Sequence, residues 1–223
     1  MLKNVEAIEA PNILMYPLFA HNVYKVKVDP NKYDKEAIVG QMMRNYAKNT
    51  QRNNWDNESI LHHTYNDGLN PNFEIVDGSN GLIPLYGEIL MDLTKKLDLQ
   101  GVVNFQFGFA NFAINTQYMR KHNHESEQES FGSIIFATVH YIKFNKELHS
   151  GTTFINPKCQ NPRHKFILKE STKNSFCFDE WEIDMEEDDM LIFPAYLEHY
   201  VKNKPDTNWE YPRIVSSTNI TVF

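Results

Sequence analysis

Three histidines have the types and spacing of a metal site. His122 and His124 are separated by a single residue, and His199 follows a short apolar run much later in the chain. In an extended segment, side chains two positions apart point to the same face of the strand. The sequence therefore predicts that His122 and His124 hold one metal ion together, with His199 as the third ligand.

The pattern of apolar residues predicts the elements that must position these histidines. The first part of the chain favours β structure over 11–28, a helix over 33–47, an irregular crossing over 48–80 and a helix over 82–97. After Gly101 the sequence changes to short segments rich in β-branched and aromatic residues. These predict strands over 102–116, 133–144, 152–156, 164–169, 175–184, 190–194 and 212–223. So many short strands indicate a sandwich or barrel, supported here by N-terminal helices.

Length and composition are those of one globular domain. The 223 residues can bury a single sizeable core, so we expect one domain over 1–223, in which 1–100 supports a β core over 101–223. The net charge of −7 disfavours a nucleic-acid surface. Cys159 and Cys177 are too few for a disulfide framework, and no apolar run reaches membrane-spanning length. We therefore expect a soluble, cytoplasmic protein with no membrane partner.

Four segments of the C-terminal half carry a resemblance to a known family. Residues 116–124 lead into the two close histidines, 138–142 and 150–157 flank a glycine turn, and 188–201 contain a turn, an apolar run and His199. In this order they resemble the metal-binding segments of the prolyl 4-hydroxylase-like oxygenases, which depend on iron(II) and 2-oxoglutarate. An uncharacterised bacterial and phage group within that family is especially similar.

The resemblance implies a mainly β (α+β) fold, a double-stranded β-helix or jelly-roll barrel. It also implies a dioxygenase, in particular a hydroxylase, that uses Fe(II), 2-oxoglutarate and O2 and releases succinate and CO2. Arg213 stands where the family has a basic residue for the distal carboxylate of 2-oxoglutarate. Ser217, Tyr118 and Asn115 would line the same pocket, and no catalytic side chain is implied beyond the metal centre.

His124 departs from the family pattern, because the hydroxylases usually carry aspartate at this position. Either the site uses three neutral imidazoles, which we favour, or a nearby acid such as Glu125 or Glu127 supplies a carboxylate. Three neutral ligands would leave the metal centre one unit more positive than the usual two-histidine, one-carboxylate set.

Two other interpretations stay open at this point. The cupins share the barrel architecture, and their first motif fits His122, His124 and Glu129 as alternative metal ligands, while Pro194 and Asn203 fit parts of the second motif. A jelly-roll binding protein without catalytic activity is the other interpretation, and the missing carboxylate is the argument for it.

The substrate is expected to be a small molecule or a peptide. Loops at the barrel mouth would select it, and the segments 48–80, 125–132 and 157–165 are the candidates.

Overall fold

A computed structural model gives the fold. It describes residues 8–10, 13–15, 21–48, 60–63, 81–96, 105–107, 111–125, 128–129, 132–157, 180–204 and 210–222. Within these ranges the side chains of 8–10, 13–15, 45, 48, 60–63, 105–107, 111–113, 115–117, 128–129, 132–133 and 222 lie outside the description. The predicted strand over 164–169, both cysteines and Glu127 also lie outside it.

Two helices support the β core, close to the positions that the sequence predicts. Helix α1 spans Lys35–Lys48, and the Asp34 carboxylate accepts a hydrogen bond from the Ala37 amide (3.0 Å), as a helix N-cap does. Helix α2 spans Leu82–Lys96 and buries a stripe made of Leu82, Leu85, Tyr86, Leu90 and Leu93. This three-to-four spacing matches the helical period, so the apolar side of α2 covers the sheet. Neither helix is long and apolar enough to cross a membrane.

Eleven of the described strands form one antiparallel sheet, and the first two pair separately with each other. The strands in chain order are β1 (Ile8–Ala10), β2 (Ile13–Met15), β3 (Tyr24–Lys27), β4 (Ile60–His63), β5 (Phe105–Phe107), β6 (Asn111–His122), β7 (Gln128–Glu129), β8 (Gly132–Lys143), β9 (Thr152–Ile155), β10 (Glu180–Glu182), β11 (Asp189–Pro194), β12 (His199–Val201) and β13 (Ile214–Val222). The main path runs β10-β9-β12-β6-β13-β8-β11-β3. The predicted strands 133–144, 152–156, 190–194 and 212–223 are confirmed with small shifts in their ends.

Strand β6 connects the two sides of the barrel. Its first half pairs with β13, where Ile114 faces Ile214, and its end pairs with β12, where His122 faces His199. The prediction of a strand over 102–116 was wrong at its C-terminal end, because β6 continues to His122. The polar and charged residues after Thr116 do not favour a strand by their own propensity. Pairing with β4 and β12 stabilises this extension of β6. Strand β4 is a short ordered piece within the irregular crossing predicted over 48–80.

Alternating side chains of β8 separate two apolar layers. Tyr141 points into the barrel, where it joins a cluster with Phe154, Phe193 and Val215 from neighbouring strands. His140 points to the opposite side, under the helices, and its Nδ1 lies 2.8 Å from the Tyr86 hydroxyl. Burial lowers the pKa of His140 to about 3, with a smaller contribution from the Lys35 charge. The imidazole is therefore neutral in the folded protein at neutral pH.

Ion pairs of an acidic turn at residues 186–189 hold the N-terminal elements against the barrel. The alternating acidic and apolar residues over 180–189 predict an edge strand with a solvated acidic face, but only β10 is such a strand. Asp189 is just 2% exposed and pairs with Lys25 at 2.9 Å and Lys27 at 3.4 Å. The prediction failed here because β3, which carries both lysines, lies antiparallel to β11 and brings cations to these carboxylates.

Replacing His140 with asparagine should make the stability of the fold less sensitive to acid. Below its ordinary pKa of 6.5 the unfolded chain binds a proton that the folded chain, with a pKa of about 3, does not bind. The free energy of unfolding should therefore fall by about 1.4 kcal/mol per pH unit as the pH drops through this window. Asparagine places a polar atom near the former Nδ1 and does not titrate.

Urea unfolding of the metal-free wild type and of His140→Asn between pH 4.5 and 7.5 measures this difference. All other titrating groups are common to both proteins, so their contributions cancel in the comparison. Parallel pH profiles would contradict a buried neutral imidazole at this position.

Candidate metal centre

The pairing of two strands brings the three histidines together. His122 ends β6 and His199 begins β12, and the two are direct partners in the antiparallel register. His124 follows two residues later, where its backbone amide donates to the Ala195 carbonyl at 2.9 Å. One ligand nitrogen from each of the three rings lies within 4.8 Å of the others. Residues that are far apart in sequence thus form a single cluster of possible metal ligands.

Hydrogen bonds fix the tautomer of two of these rings. Nδ1 of His122 lies 2.9 Å from the Arg120 carbonyl, and Nδ1 of His199 lies 2.9 Å from the Leu197 carbonyl. A carbonyl can only accept, so each Nδ1 carries the proton and donates it. The lone pair of the neutral ring is then on Nε2, which is the form that a metal ion binds. This donor set fits a divalent transition metal.

The environment of His199 favours the uncharged ring that coordination requires. His199 is 4% exposed, and its ring packs against Phe193 with centroids 4.8 Å apart. Burial lowers the pKa of His199 well below its ordinary range, and the neighbouring His122 lowers it further. His122 and His124 are half-buried, so the cluster is closed on the His199 side and more open on the other.

Among the described side chains, the ligand cluster contains three imidazoles and no carboxylate. Glu125 is next to His124 but is exposed. Glu129 lies on β7, and its side chain is outside the description, as is all of Glu127. Asn203, from the cupin comparison, is exposed beyond β12. The three-histidine arrangement is the one that the described geometry supports.

Arg213 lies inside the barrel just before β13. It is 1% exposed, its Nε donates to the Ser150 carbonyl at 3.1 Å, and its guanidinium carbon lies 5.5 Å from the centre of the Tyr141 ring. Burial lowers the pKa of Arg213 while Tyr141 opposes that shift, but arginine stays charged in proteins. A permanent positive charge is therefore buried inside the barrel.

The sequence did not indicate the pair of hydroxyl groups that lies beside Arg213. The Tyr141 hydroxyl lies 2.7 Å from the Thr152 hydroxyl and accepts the Thr152 amide hydrogen at 2.8 Å. His140 and Tyr141 are consecutive residues of a strand, so only one of them can face inward, and the local sequence does not indicate which one. The interior position of Tyr141 depends on the pairing of β8 with β11 and β13, which the sequence of β8 alone does not determine.

The structure separates the other predicted pocket residues. Ser217 lies two residues after Val215 on β13, so its side chain points to the same interior side, where it is half-buried. An extra residue in β6 between Met119 and His122 changes the alternation, which places Tyr118 on the face opposite His122. The side chain of Asn115 is outside the description.

The arginine group and the histidine cluster are linked through β9. Thr152 and Phe154 are two positions apart on this strand and therefore share its interior face. Phe154 is the direct partner of His199, with ring centroids 6.0 Å apart, while Thr152 contacts Tyr141. Two residues of an antiparallel strand span about 7 Å. The barrel thus holds a histidine cluster and a buried cation a short distance apart on one inner surface.

No protein-family model matches the sequence, and no curated protein shows significant similarity to it. Several solved structures, however, have the same fold. A prolyl-4-hydroxylase from Pseudomonas putida superposes with a TM-score of 0.54 at 11% identity, over 90% of this chain and 92% of that chain. The non-heme α-ketoglutarate-dependent epimerase SnoN of nogalamycin biosynthesis gives 0.56 at 11% identity, over 90% and 76%. A Trichoplax adhaerens prolyl hydroxylase in complex with a hypoxia-inducible-factor peptide gives 0.50 at 11% identity, over 89% and 82%.

At such low identity these similarities concern the fold. They confirm the mainly β architecture that the sequence predicted. The chain has the jelly-roll fold of the prolyl-4-hydroxylase structures.

Proposed function

We propose that this protein is an iron(II)- and 2-oxoglutarate-dependent dioxygenase, and specifically a hydroxylase. In the overall reaction, 2-oxoglutarate, O2 and a substrate C–H group would give succinate, CO2 and a C–OH group. The observation that carries the proposal is the presence of a three-histidine cluster and a buried arginine on the same inner surface of the barrel. Either feature alone would be compatible with packing.

His122, His124 and His199 would hold the iron. Imidazole suits iron(II), and the Nδ1 hydrogen bonds of His122 and His199 orient Nε2 as the ligand atom. Three protein ligands leave coordination positions free for a chelating co-substrate and for dioxygen. Iron and 2-oxoglutarate together would supply the oxidising chemistry, whereas the protein binds, orients and shields them.

Arg213 would bind the distal carboxylate of 2-oxoglutarate. A guanidinium can offer two parallel N–H donors to a carboxylate, and a bound anion would neutralise a charge that is otherwise buried. The Tyr141 and Thr152 hydroxyls lie beside it and could complete the contact. Phe154 is the partner of His199 on β9. The distance along the strand from Thr152 to Phe154 is about 7 Å, which is comparable with the length of a five-carbon dicarboxylate.

Apolar side chains would keep water away from the reacting groups. Phe154, Phe193 and Leu197 are buried in the inner cluster, and the two phenylalanine rings are 5.0 Å apart in an edge-on arrangement. A dry interior strengthens the interaction of Arg213 with an anion and limits side reactions. The SnoN epimerase and the two prolyl hydroxylases with this fold support the reaction type but do not identify the substrate. Small molecules and peptides are both compatible with the fold.

Replacing any of His122, His124 and His199 with alanine should strongly weaken metal binding. Loss of a residue that merely orients a ligand commonly costs 10- to 100-fold in affinity, so loss of the ligand itself should cost more than about 100-fold. Anaerobic titration of the full chain with iron(II), monitored by calorimetry, measures the metal affinity of each variant.

Three control variants separate the competing ligand sets. His140→Asn, Glu125→Gln and Glu129→Gln should leave the metal affinity within about threefold of wild type, because none of these side chains belongs to the three-histidine set. If Glu129→Gln abolished metal binding, the cupin-type site would replace our proposal. If His124→Ala had no effect while Glu125→Gln did, the carboxylate alternative would be correct.

Replacing Arg213 with methionine should weaken 2-oxoglutarate binding by more than about tenfold, because truncating one side of a buried charge pair commonly costs about 2 kcal/mol or more. The affinity for iron(II) should not fall, because Arg213 is not a metal ligand and its positive charge repels the ion. The weak visible absorption band that 2-oxoglutarate produces with the iron-loaded protein under anaerobic conditions gives the dissociation constant.

The matched control is Arg44→Met, which removes an exposed arginine of α1. Equal 2-oxoglutarate affinity in Arg213→Met and wild type, with both proteins folded and metal-loaded, would overturn the co-substrate assignment. Binding of both metal and 2-oxoglutarate without succinate formation in any substrate screen would instead favour the non-catalytic binding protein.

A further inference from the structure

His149 occupies a buried position behind Arg213, and both of its ring nitrogens form hydrogen bonds. The Asn145 amide donates to Nδ1 at 3.1 Å, and Nε2 lies 3.0 Å from the Tyr211 carbonyl. An amide must donate and a carbonyl must accept, so Nδ1 carries the lone pair and Nε2 carries the proton. This tautomer is the opposite of that in His122 and His199. His149 is therefore set up to join two pieces of backbone, not to bind a metal through Nε2.

The two pieces of backbone that His149 joins are those that hold Arg213. One is the turn after β8, where Ser150 follows His149 and accepts the hydrogen bond from Arg213 Nε at 3.1 Å. The other is the segment that enters β13, where Tyr211 precedes Arg213 by two residues. The His149 ring joins the Tyr211 carbonyl directly to this turn by its Nε2 hydrogen bond. The ring thus fixes the origin of the arginine side chain relative to its carbonyl acceptor.

Tyr211 is fixed at its other end by the acidic turn. Its hydroxyl donates to Glu187 Oε2 at 2.6 Å, and the same carboxylate accepts the Phe144 amide at 3.1 Å. Glu187 also pairs with Lys35 at 2.7 Å. Burial acts to raise the pKa of Glu187, but hydrogen bonds from Lys35 and Tyr211 outweigh it and hold this pKa below its usual range. A charged acceptor therefore anchors Tyr211 and, through it, the start of β13.

The charge balance also favours a neutral residue at position 149. Burial, assisted by the positive charge of Arg213, lowers the pKa of His149 to about 4. A lysine or a protonated imidazole would repel the guanidinium, and neither could accept the Asn145 amide hydrogen. Histidine in its neutral form is a donor and an acceptor at the two ends of a short rigid ring, which is the combination that this bridge needs.

We propose that His149 is a positioning residue that, together with Tyr211 and Glu187, holds the Arg213 guanidinium in the orientation required to bind the carboxylate of 2-oxoglutarate. The inference rests on the proposed function, since it gives Arg213 that role. It adds three residues outside the barrel interior to the determinants of co-substrate affinity. It also links this affinity, through the Glu187–Lys35 pair, to helix α1.

Two amide substitutions at position 149 separate the two hydrogen bonds that the ring forms. Glutamine can place an amide nitrogen near the former Nε2 and so preserve the donor to Tyr211. Asparagine can place an oxygen near the former Nδ1 and so preserve the acceptor for Asn145, but it is too short to reach Tyr211. The variants are similar in polarity and neither titrates, so His149→Gln is the matched control for His149→Asn.

The experiment is anaerobic titration of the iron(II)-loaded full-length protein with 2-oxoglutarate, together with calorimetric iron(II) titration and thermal unfolding. His149→Asn should weaken 2-oxoglutarate binding by about tenfold or more, because small displacements of a positioned group are costly. His149→Gln should restore the affinity to within about threefold of wild type. Tyr211→Phe, which loses the bond to Glu187 but retains the carbonyl, should fall between these two. Iron(II) affinity should be unchanged in all three.

Arg213→Met distinguishes a failure of this inference from a failure of the proposed function. If Arg213→Met and His149→Asn both bind 2-oxoglutarate as wild type does, the proposed function fails and the positioning role fails with it. If only Arg213→Met is impaired, the proposed function stands and His149 has no positioning role. Equal impairment of His149→Asn and His149→Gln would also overturn the inference, since the bridge to Tyr211 would then not be the cause. A parallel loss of iron(II) affinity would indicate general damage to the barrel and overturn it too.

Discussion

The antiparallel pairing of His122 with His199 is the constraint on which the candidate site depends. It places two imidazoles from the ends of two strands on the same inner face, and it does so through backbone hydrogen bonds that do not depend on a metal ion. A slip of one residue between β6 and β12 would turn one of the rings to the outer face. The extra residue in β6 between Met119 and His122 sets this alignment, so a local irregularity of the strand determines which side chains face the barrel interior.

Strand β6 also determines the position of the second part of the site, the buried arginine. Its first half pairs with β13, the strand that begins directly after Arg213, while its end pairs with β12. The histidine cluster and the buried arginine are therefore positioned by different parts of one strand. Strand β9 provides a second connection, since Phe154 is the partner of His199 and Thr152 contacts Tyr141, which lies beside Arg213. This double connection explains how a short β core can hold two polar groups at a defined separation within an apolar interior.

The sequence predicted the helices, most of the core strands and the jelly-roll fold, because these follow from local periodicity and from the order of recognisable segments. It could not predict the end of β6, whose polar residues are stabilised by partners distant in the chain. It also could not determine the face of Tyr141, the ion pairs of Asp189 or the tautomer of His149. Each of these depends on which strands or turns become neighbours, and local sequence patterns do not reveal long-range pairing. The ligand set, in which His124 replaces the usual carboxylate, stays a prediction.

The replacement of a carboxylate by His124 changes the charge inside the proposed site. Three neutral imidazoles would leave the full double positive charge of iron(II) in the barrel, near the permanent charge of Arg213. Electrostatic repulsion between like charges is strong in a dry interior, so such a site would hold the metal less tightly when it is empty of anions. 2-Oxoglutarate carries two negative charges and would contact both cations at once. In the proposed enzyme the metal and the co-substrate would therefore stabilise each other's binding more strongly than in a site with an aspartate ligand, and the rigid placement of Arg213 by His149 and Tyr211 would contribute directly to that coupling.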